Sequence, residues 1–556
     1  VAVREGFKAV LAGEVGALGG GYVLTARVVA AADGATLVAV RETAPDSAGL
    51  IAAMNRLSKR VRERMGESLA ALAAADPLPR VATSSLPALR RYAEAYDLAW
   101  AGGDDARIAE LLEETVALDS MFAAAYRGLA TTYWNMRADR QRALAAITRA
   151  YELRDRFSDR ERYLVEATYH WQVEGQSGLT RQAYRRVLAV APEDFTSRAN
   201  LGLALLFDGE PEEAERVLRE GIRPNAPAII PINLAQALYF QGRTGEALEV
   251  LDSVSPGPGG GALNPFAENM RVRVLGGDGR WAEAESVARA VLAEFDASPH
   301  VRAEAHRALW HLALTRGRLA EAEREFAAMA SLFERIGSLE ALARAHVQRA
   351  EARLTLLGDA PGARSALDSL LDQPDLDVLT VGATIAPRAA AALAAAGDTA
   401  RAIRLIDRWE ALPPGERSDP DGYSAEHVRA RTALVGGRTE EAVRRLERAT
   451  DRTIQAINYL PDLARAYRDA GRVADAIAAF EEYLAFRHIR RIHRVPGHLA
   501  PVLMELADLY EATGDTEAAA ATYLRLVELW AGADDELRSH VERAQARASA
   551  LMGRDP

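Results

Sequence analysis

From about residue 85 onward, apolar residues fall in paired short stripes, each with the three- and four-residue steps of one helical face. In the clearest places the first stripe reads Leu201-Gly202-x-x-Leu205, Leu234-Ala235-x-x-Leu238, Leu463-Ala464-x-x-Tyr467 or Leu506-Ala507-x-x-Tyr510. A glycine closes that stripe, an alanine follows five residues later, and a bulky residue stands four beyond the alanine. The sets are Gly209, Ala214, Leu218; Gly242, Ala247, Leu251; Gly437, Ala442, Leu446; Gly471, Ala476, Phe480; and Gly514, Ala519, Tyr523. A glycine can take the left-handed conformation that ends a helix, the small residue lets two helices approach, and the bulky one fills the gap between them.

Looser copies centre on Gly103, Gly175, Gly279, Gly317, Gly358 and Gly397, with another around Ala138. From Gly175 to Gly514 the spacings run 34, 33, 37, 38, 41, 39, 40, 34 and 43 residues, which suits two helices and two turns per period. The expected fold is mainly α: about twelve helical hairpins over residues 79–551, stacked into a superhelical solenoid, then a tail at 552–556. The stretch from Gly317 to Gly397 is longer and less regular.

The first 78 residues are patterned differently. Short β-like runs at Val10 to Val15, Tyr22 to Val29 and Thr36 to Val40 are separated by Gly19-Gly20-Gly21 and Asp33-Gly34, which are hairpin signals. After Pro45, the residues Leu50, Met54, Leu57, Val61, Met65, Leu69 and Leu72 predict one amphipathic helix ending at Asp76-Pro77. A small α/β domain, a β-meander plus a helix, is therefore expected over 1–78.

The Leu-Gly-x-x-Tyr-like segments paired with Ala-x-x-x-Phe-like ones resemble the tetratricopeptide repeat, and Pro192 after Tyr184 and Val187 fits its closing proline. Gly13-x-Val15, the run from Tyr22 to Leu37 and Thr83-Ser84-Ser85-Leu86-x-Ala88-Leu89 resemble the junction between a TolB-like domain and tetratricopeptide repeats in bacterial signalling proteins. That resemblance implies a partial TolB-like domain. It also implies an upstream serine/threonine kinase, adenylate cyclase or DNA-binding domain, and the opening Val1 is read as the start of a fragment.

Composition narrows the chemistry. A formal net charge of −11 gives no basic face for nucleic acid, and the lack of cysteine excludes disulfides, thiolate metal sites and cysteine nucleophiles. Lys8 and Lys59 are the only lysines, and neither sits in a phosphate-binding loop or a kinase-like context. No apolar run is long enough to span a bilayer, and the cellular compartment is left undetermined. Glu212-Glu213 and Glu440-Glu441 fall in first helical turns, where they complement the helix dipole. His488, His493 and His498, among Arg487, Arg490, Arg491 and Arg494, step by five residues and so share no face; they are read as an exposed basic extension. His306 and His311 are read as surface or packing residues. The sequence thus predicts no catalytic, cofactor or metal site, and no enzyme.

What it does predict is protein or peptide binding in a concave groove. In tetratricopeptide relatives an asparagine nine residues before the turn glycine holds a peptide backbone, and Asn200 and Asn233 occupy that place here. Arg273 is a candidate charged contact, whereas Thr196, Ile229 and Met270 stand where carboxylate-clamping relatives carry basic residues. Phe195, Phe207, Tyr239 and Phe240 are assigned to the core, and removal of both asparagines is expected to leave the melting curve unchanged.

Overall fold

The computed structural model describes residues 9–66, 83–100, 104–136, 140–223, 226–255, 263–294, 298–371, 385–412, 417, 423–449, 456–486 and 497–553. Contacts divide the chain into two compact units, residues 1–198 with 223–227, and residues 199–222 with 228–556.

The first unit opens with β1 (Ala9–Leu18), β2 (Gly21–Ala30) and β3 (Thr36–Ala44) in an antiparallel meander of that order. Gly19 and Gly20 take positive φ between β1 and β2, so the chain reverses where only glycine does so without strain. Helix α1 (Leu50–Arg64) covers one face, packing Leu50 and Ala53 against Leu24 and Ala44. The helix is shorter than its periodicity suggests. Met65 N–H closes on the Val61 and Arg62 carbonyls and Gly66 turns left-handed at φ 89°, ending the helix before Leu69, Leu72 and Asp76-Pro77, which lie outside the described residues.

Helical hairpins follow: α2 (Leu86–Trp100) with α3 (Asp105–Leu118), α4 (Ala123–Met136) with α5 (Arg140–Glu152), and α6 (Asp159–Tyr169) with α7 (Ser177–Val190). Helix α6 runs into a π turn closed by Gly175, and Pro192 lies just beyond the end of α7.

The next pairs are α8 (Phe195–Phe207) with α9 (Pro211–Arg219), α10 (Ile229–Phe240) with α11 (Thr244–Asp252), and α12 (Pro265–Gly277) with α13 (Trp281–Ala293). In the irregular middle come α14 (Pro299–Thr315) with α15 (Leu319–Arg335) and α16 (Leu339–Leu357) with α17 (Ala360–Leu371). Helix α16 has 19 residues against nine in α9, which accounts for the widened spacing there. The chain continues with α18 (Ala386–Ala395) and α19 (Thr399–Glu410), α20 (Ala425–Val435) and α21 (Thr439–Ala449), and α22 (Ala456–Asp469) and α23 (Val473–Ala485). It ends with α24 (Leu499–Thr513), α25 (Thr516–Leu529) and an unpaired helix, α26 (Asp535–Leu551).

The repeat code is realised literally. Ala214, Ala247, Ala442, Ala476 and Ala519 are fully buried, and so are the bulky residues four places on, Leu218, Leu251, Leu446, Phe480 and Tyr523. Each such bulky side chain contributes about 1.5–3 kcal/mol by leaving water. At Gly242 (φ 78°) the Gly242 N–H bonds to the Tyr239 carbonyl and the Arg243 N–H to Leu238, the double bond pattern of a left-handed helix stop. The arginine after the glycine then reaches back to a glutamate on the preceding hairpin. Arg243 meets Glu215 at 2.8 Å, Arg472 meets Glu447 at 3.1 Å, and Arg318 meets Glu285. The glutamate pairs predicted in first turns are there, in α9 and α21.

Within the second unit the late hairpins return to earlier ones. The Trp530 indole N–H donates to the Thr315 carbonyl at 3.2 Å. The Asp534 N–H donates to the Gly317 carbonyl at 3.0 Å, and the Asp534 carboxylate accepts from the Ala320 N–H at 2.7 Å. One core cluster accordingly joins Trp310, Phe333 and Leu356 to Leu503, Tyr523, Leu537 and Ala548. From α14 to α26 the stack closes into a ring, with α26 sealed against its beginning.

Candidate functional site

The first helix of each hairpin carries two positions fixed by register, nine and six residues before the turn glycine. The ninth is occupied by Asn200, Asn233, Arg388, Asp462 and Glu505, and the sixth by Arg273, Arg431 and Arg465. In α8 and α10, Asn200 is half-buried and Asn233 buried, and the Asn233 Nδ2 donates to the Ala199 carbonyl at 3.1 Å. Asn233 therefore ties α10 to α8, and its removal carries a stability cost of about 1 kcal/mol that the sequence reading did not foresee. Arg273 is half-buried on α12, Thr196 and Ile229 are exposed, and Met270 is buried. Tyr239 is fully buried, while Phe195, Phe207 and Phe240 are half-buried.

In the closed ring Arg388, Arg431, Asp462, Arg465 and Glu505, from these positions, meet at a hub of paired charges together with Glu351 and Arg468. Arg388 Nε donates to Glu351 at 2.9 Å, with both residues less than a tenth exposed. Asp462 accepts from Arg431 at 2.5 Å and lies 2.7 Å from His427 Nε2. Arg465 reaches Glu505 at 2.8 Å and Asp462 at 3.4 Å, and Arg468 meets the other side of Glu505 at 2.8 Å. Tyr423 stacks on His427 with ring centroids 5.2 Å apart, and the Arg388 and Arg431 guanidinium groups lie over the Tyr423 ring.

Burial governs the protonation of this hub. Desolvation pushes His427 down to about 4 in spite of its bond to Asp462. Desolvation would push the Asp462 carboxyl up, but the Arg431 charge and the His427 bond outweigh it and hold the acid well below its usual range. His498, the residue before α24, is pushed down to about 3 by burial and by Arg465 and Arg431. His498 is thus an interior residue and not part of an exposed extension: it precedes a helix whose start packs on α16, where a Cβ on Gly497 would sit 3.4 Å from Leu356. His488, His493 and the neighbouring arginines lie outside the described residues. His311 is buried, and His306 pairs with Glu325 at 2.7 Å.

Two tetratricopeptide repeat profiles match the chain, one over residues 427–491 and 462–534, the other over 196–220 and 232–253. These are the segments whose alanine and bulky positions are fully buried between paired helices. The chain carries tetratricopeptide repeats in these segments. No curated protein matches it. Among solved structures, a tetratricopeptide repeat protein from Parabacteroides merdae is 16% identical, with 46% of this chain and 93% of that one covered and a TM-score of 0.33. YrrB, described as a tetratricopeptide protein with an unusual peptide-binding site, is 21% identical over 30% of this chain and 83% of its own, with a TM-score of 0.23. Human IFIT1, solved as a dimer with PPP-AAAA, is 13% identical over 87% and 95%, with a TM-score of 0.35.

This tetratricopeptide array has a further opening in its first unit. A cleft of about 490 Å³ lies among α2, α3 and α4, with Tyr92, Tyr96, Asp105, Arg127, Thr131 and Asn135 on its walls. Among the described residues no group of three His, Cys, Asp or Glu is placed to hold a metal ion, and no helix is long and apolar enough to cross a membrane. The hub was missed in the sequence because its arginines and carboxylates look like ordinary surface charge. The available signal was their register, since Asp462 and Glu505 stand where Asn200 and Asn233 do.

Proposed function

We propose that this tetratricopeptide protein is an interaction scaffold that holds a peptide or protein partner along the first helices α8, α10 and α12, with Asn200, Asn233 and Arg273 as its contacts. The observation that carries the reading is the shared register. Among the positions whose counterparts meet in the ring, these three helices carry Asn200, Asn233 and Arg273 beside Leu203, Gln236 and Met270. Anchoring one Asn233 N–H on Ala199 orients that amide in advance, and an amide both donates to and accepts from a peptide unit. The partner is expected to be protein, not nucleic acid.

Affinity capture on the array followed by mass spectrometry supplies a peptide, and Asn200→Ala is the cleaner of the two substitutions because Asn233 also joins two helices. Loss of one such bond weakens peptide binding about tenfold. Equal affinity in the variant removes α8 from the site.

A second reading is that the array serves as the regulatory region of a larger bacterial signalling protein bearing a kinase, cyclase or DNA-binding output domain. The meander favours it: Val10, Leu11, Val15 and Leu18 on β1 are exposed, as expected of part of a TolB-like domain. Sequencing the coding frame upstream of Val1 tests it, and a stop codon directly before an initiation site there refutes it.

A further inference from the structure

The hub of the ring is not completely filled. Among α16, α18, α20, α22 and α24 remains a cavity of about 310 Å³, at the lower end of the roughly 300–1,000 Å³ of small-molecule pockets. One side is apolar, with Leu354, Leu434, Val435 and Pro501; the other is polar, with Glu351, Arg431, Asp462, Arg465, His498 and Glu505.

Two features define what this wall accepts. Each carboxylate on it is already paired, Glu351 with Arg388, Asp462 with Arg431, and Glu505 with Arg465 and, on its other side, Arg468, so no charge on the wall stands without a counterion and a charged guest would lose its hydration uncompensated. Two buried atoms, His498 Nδ1 and Glu351 Oε1, have no hydrogen-bond partner among the described residues. A carboxylate oxygen only accepts, whereas Nδ1 of a neutral imidazole accepts or donates according to its tautomer. Glu351 waits for a donor, and His498 for a group that can do either.

We propose that this pocket binds a small uncharged molecule that donates hydrogen bonds through hydroxyl or carboxamide groups. Its donors satisfy Glu351, a hydroxyl or carboxamide that both donates and accepts pairs with His498 Nδ1, its oxygens accept from the Arg431 or Arg465 guanidinium, and its carbon skeleton lies on Leu354 and Leu434. His498 stays neutral, with one ring nitrogen to donate and one to accept, because burial and the two arginines oppose its protonation. The same chemistry occurs in a free polyol or sugar and in a free amide, and trapped water is the alternative occupant.

Calorimetry and thermal shift on the full chain distinguish these cases, with glucose and propionamide as uncharged probes and gluconate and propylammonium as their charged counterparts. At least one uncharged probe binds ten times or more tighter than its charged counterpart, glucose marking a polyol site and propionamide an amide site. Ala395→Met and Thr355→Met, which fill the cavity from its rim, abolish that binding while the protein's own melt stays in place. No binding by any probe leaves water as the occupant and overturns the proposal. So does affinity that both filled variants retain, or equal affinity for charged and uncharged probes.

Discussion

A Cβ added at Gly202 would lie 2.7 Å from Leu218 Cδ2, and Ala247 has no exposed surface at all. At such points one methyl group decides whether two helices can meet. Ala247→Leu is expected to destabilise by ~1–3 kcal/mol through overpacking, read as a lower melting temperature; an unmoved melt means the repeat register is misassigned. The buried histidines make a separate prediction. His311, His427 and His498 are all pushed below the ordinary histidine value of about 6.5, chiefly by burial. Between that value and their folded values the unfolded chain binds more protons than the folded one, so their contribution is intact above pH 6.5 and is lost as pH falls. At pH 5 His427 and His498 each cost about 2 kcal/mol. The urea midpoint should drop between pH 7 and pH 5, with a smaller drop in His498→Gln, whereas a flat profile would show that these rings are hydrated. The small and bulky positions were legible because each repeats five times in the sequence. His498 was not, since nothing local distinguishes a solvated histidine from one that a distant helix covers.

Hairpins form from contacts within some forty residues, so glycine stops and alanine contacts announce them locally. The β-meander was legible for the same reason, through Gly19-Gly20-Gly21 and Asp33-Gly34. The end of α1 was misjudged because its apolar spacing continues past Gly66, whose left-handed backbone stops the helix regardless. The seam between α14–α15 and α25–α26 could not be read at all, because it joins residues more than 200 apart and uses groups common at any helix end. Trp530, nearly fully buried there, is its largest anchor. Trp530→Ala should destabilise by ~3–5 kcal/mol, and hydrogen exchange should quicken at Thr315 to Ala320 as well as locally. Faster exchange confined to α25 and α26 would mean that the seam contributes little.

Over the whole chain, one register position serves two purposes. In α8 and α10 it holds the amides Asn200 and Asn233, and in the ring Arg388, Asp462 and Glu505 stand there, paired with opposite charges around a small pocket. A scaffold whose last helix packs on α14–α16 shields its terminal hairpin from water, which an open stack must do with a polar cap. The absence of cysteine offers a direct way to examine closure. Ala320→Cys and Asp534→Cys placed together put two thiols where the Ala320 N–H meets the Asp534 carboxylate at 2.7 Å, in a chain with no other thiol to compete. Under mild oxidation the ring predicts one intramolecular disulfide, seen as a linked pair of tryptic peptides. Two thiols that both remain open to alkylation would show that the stack does not close.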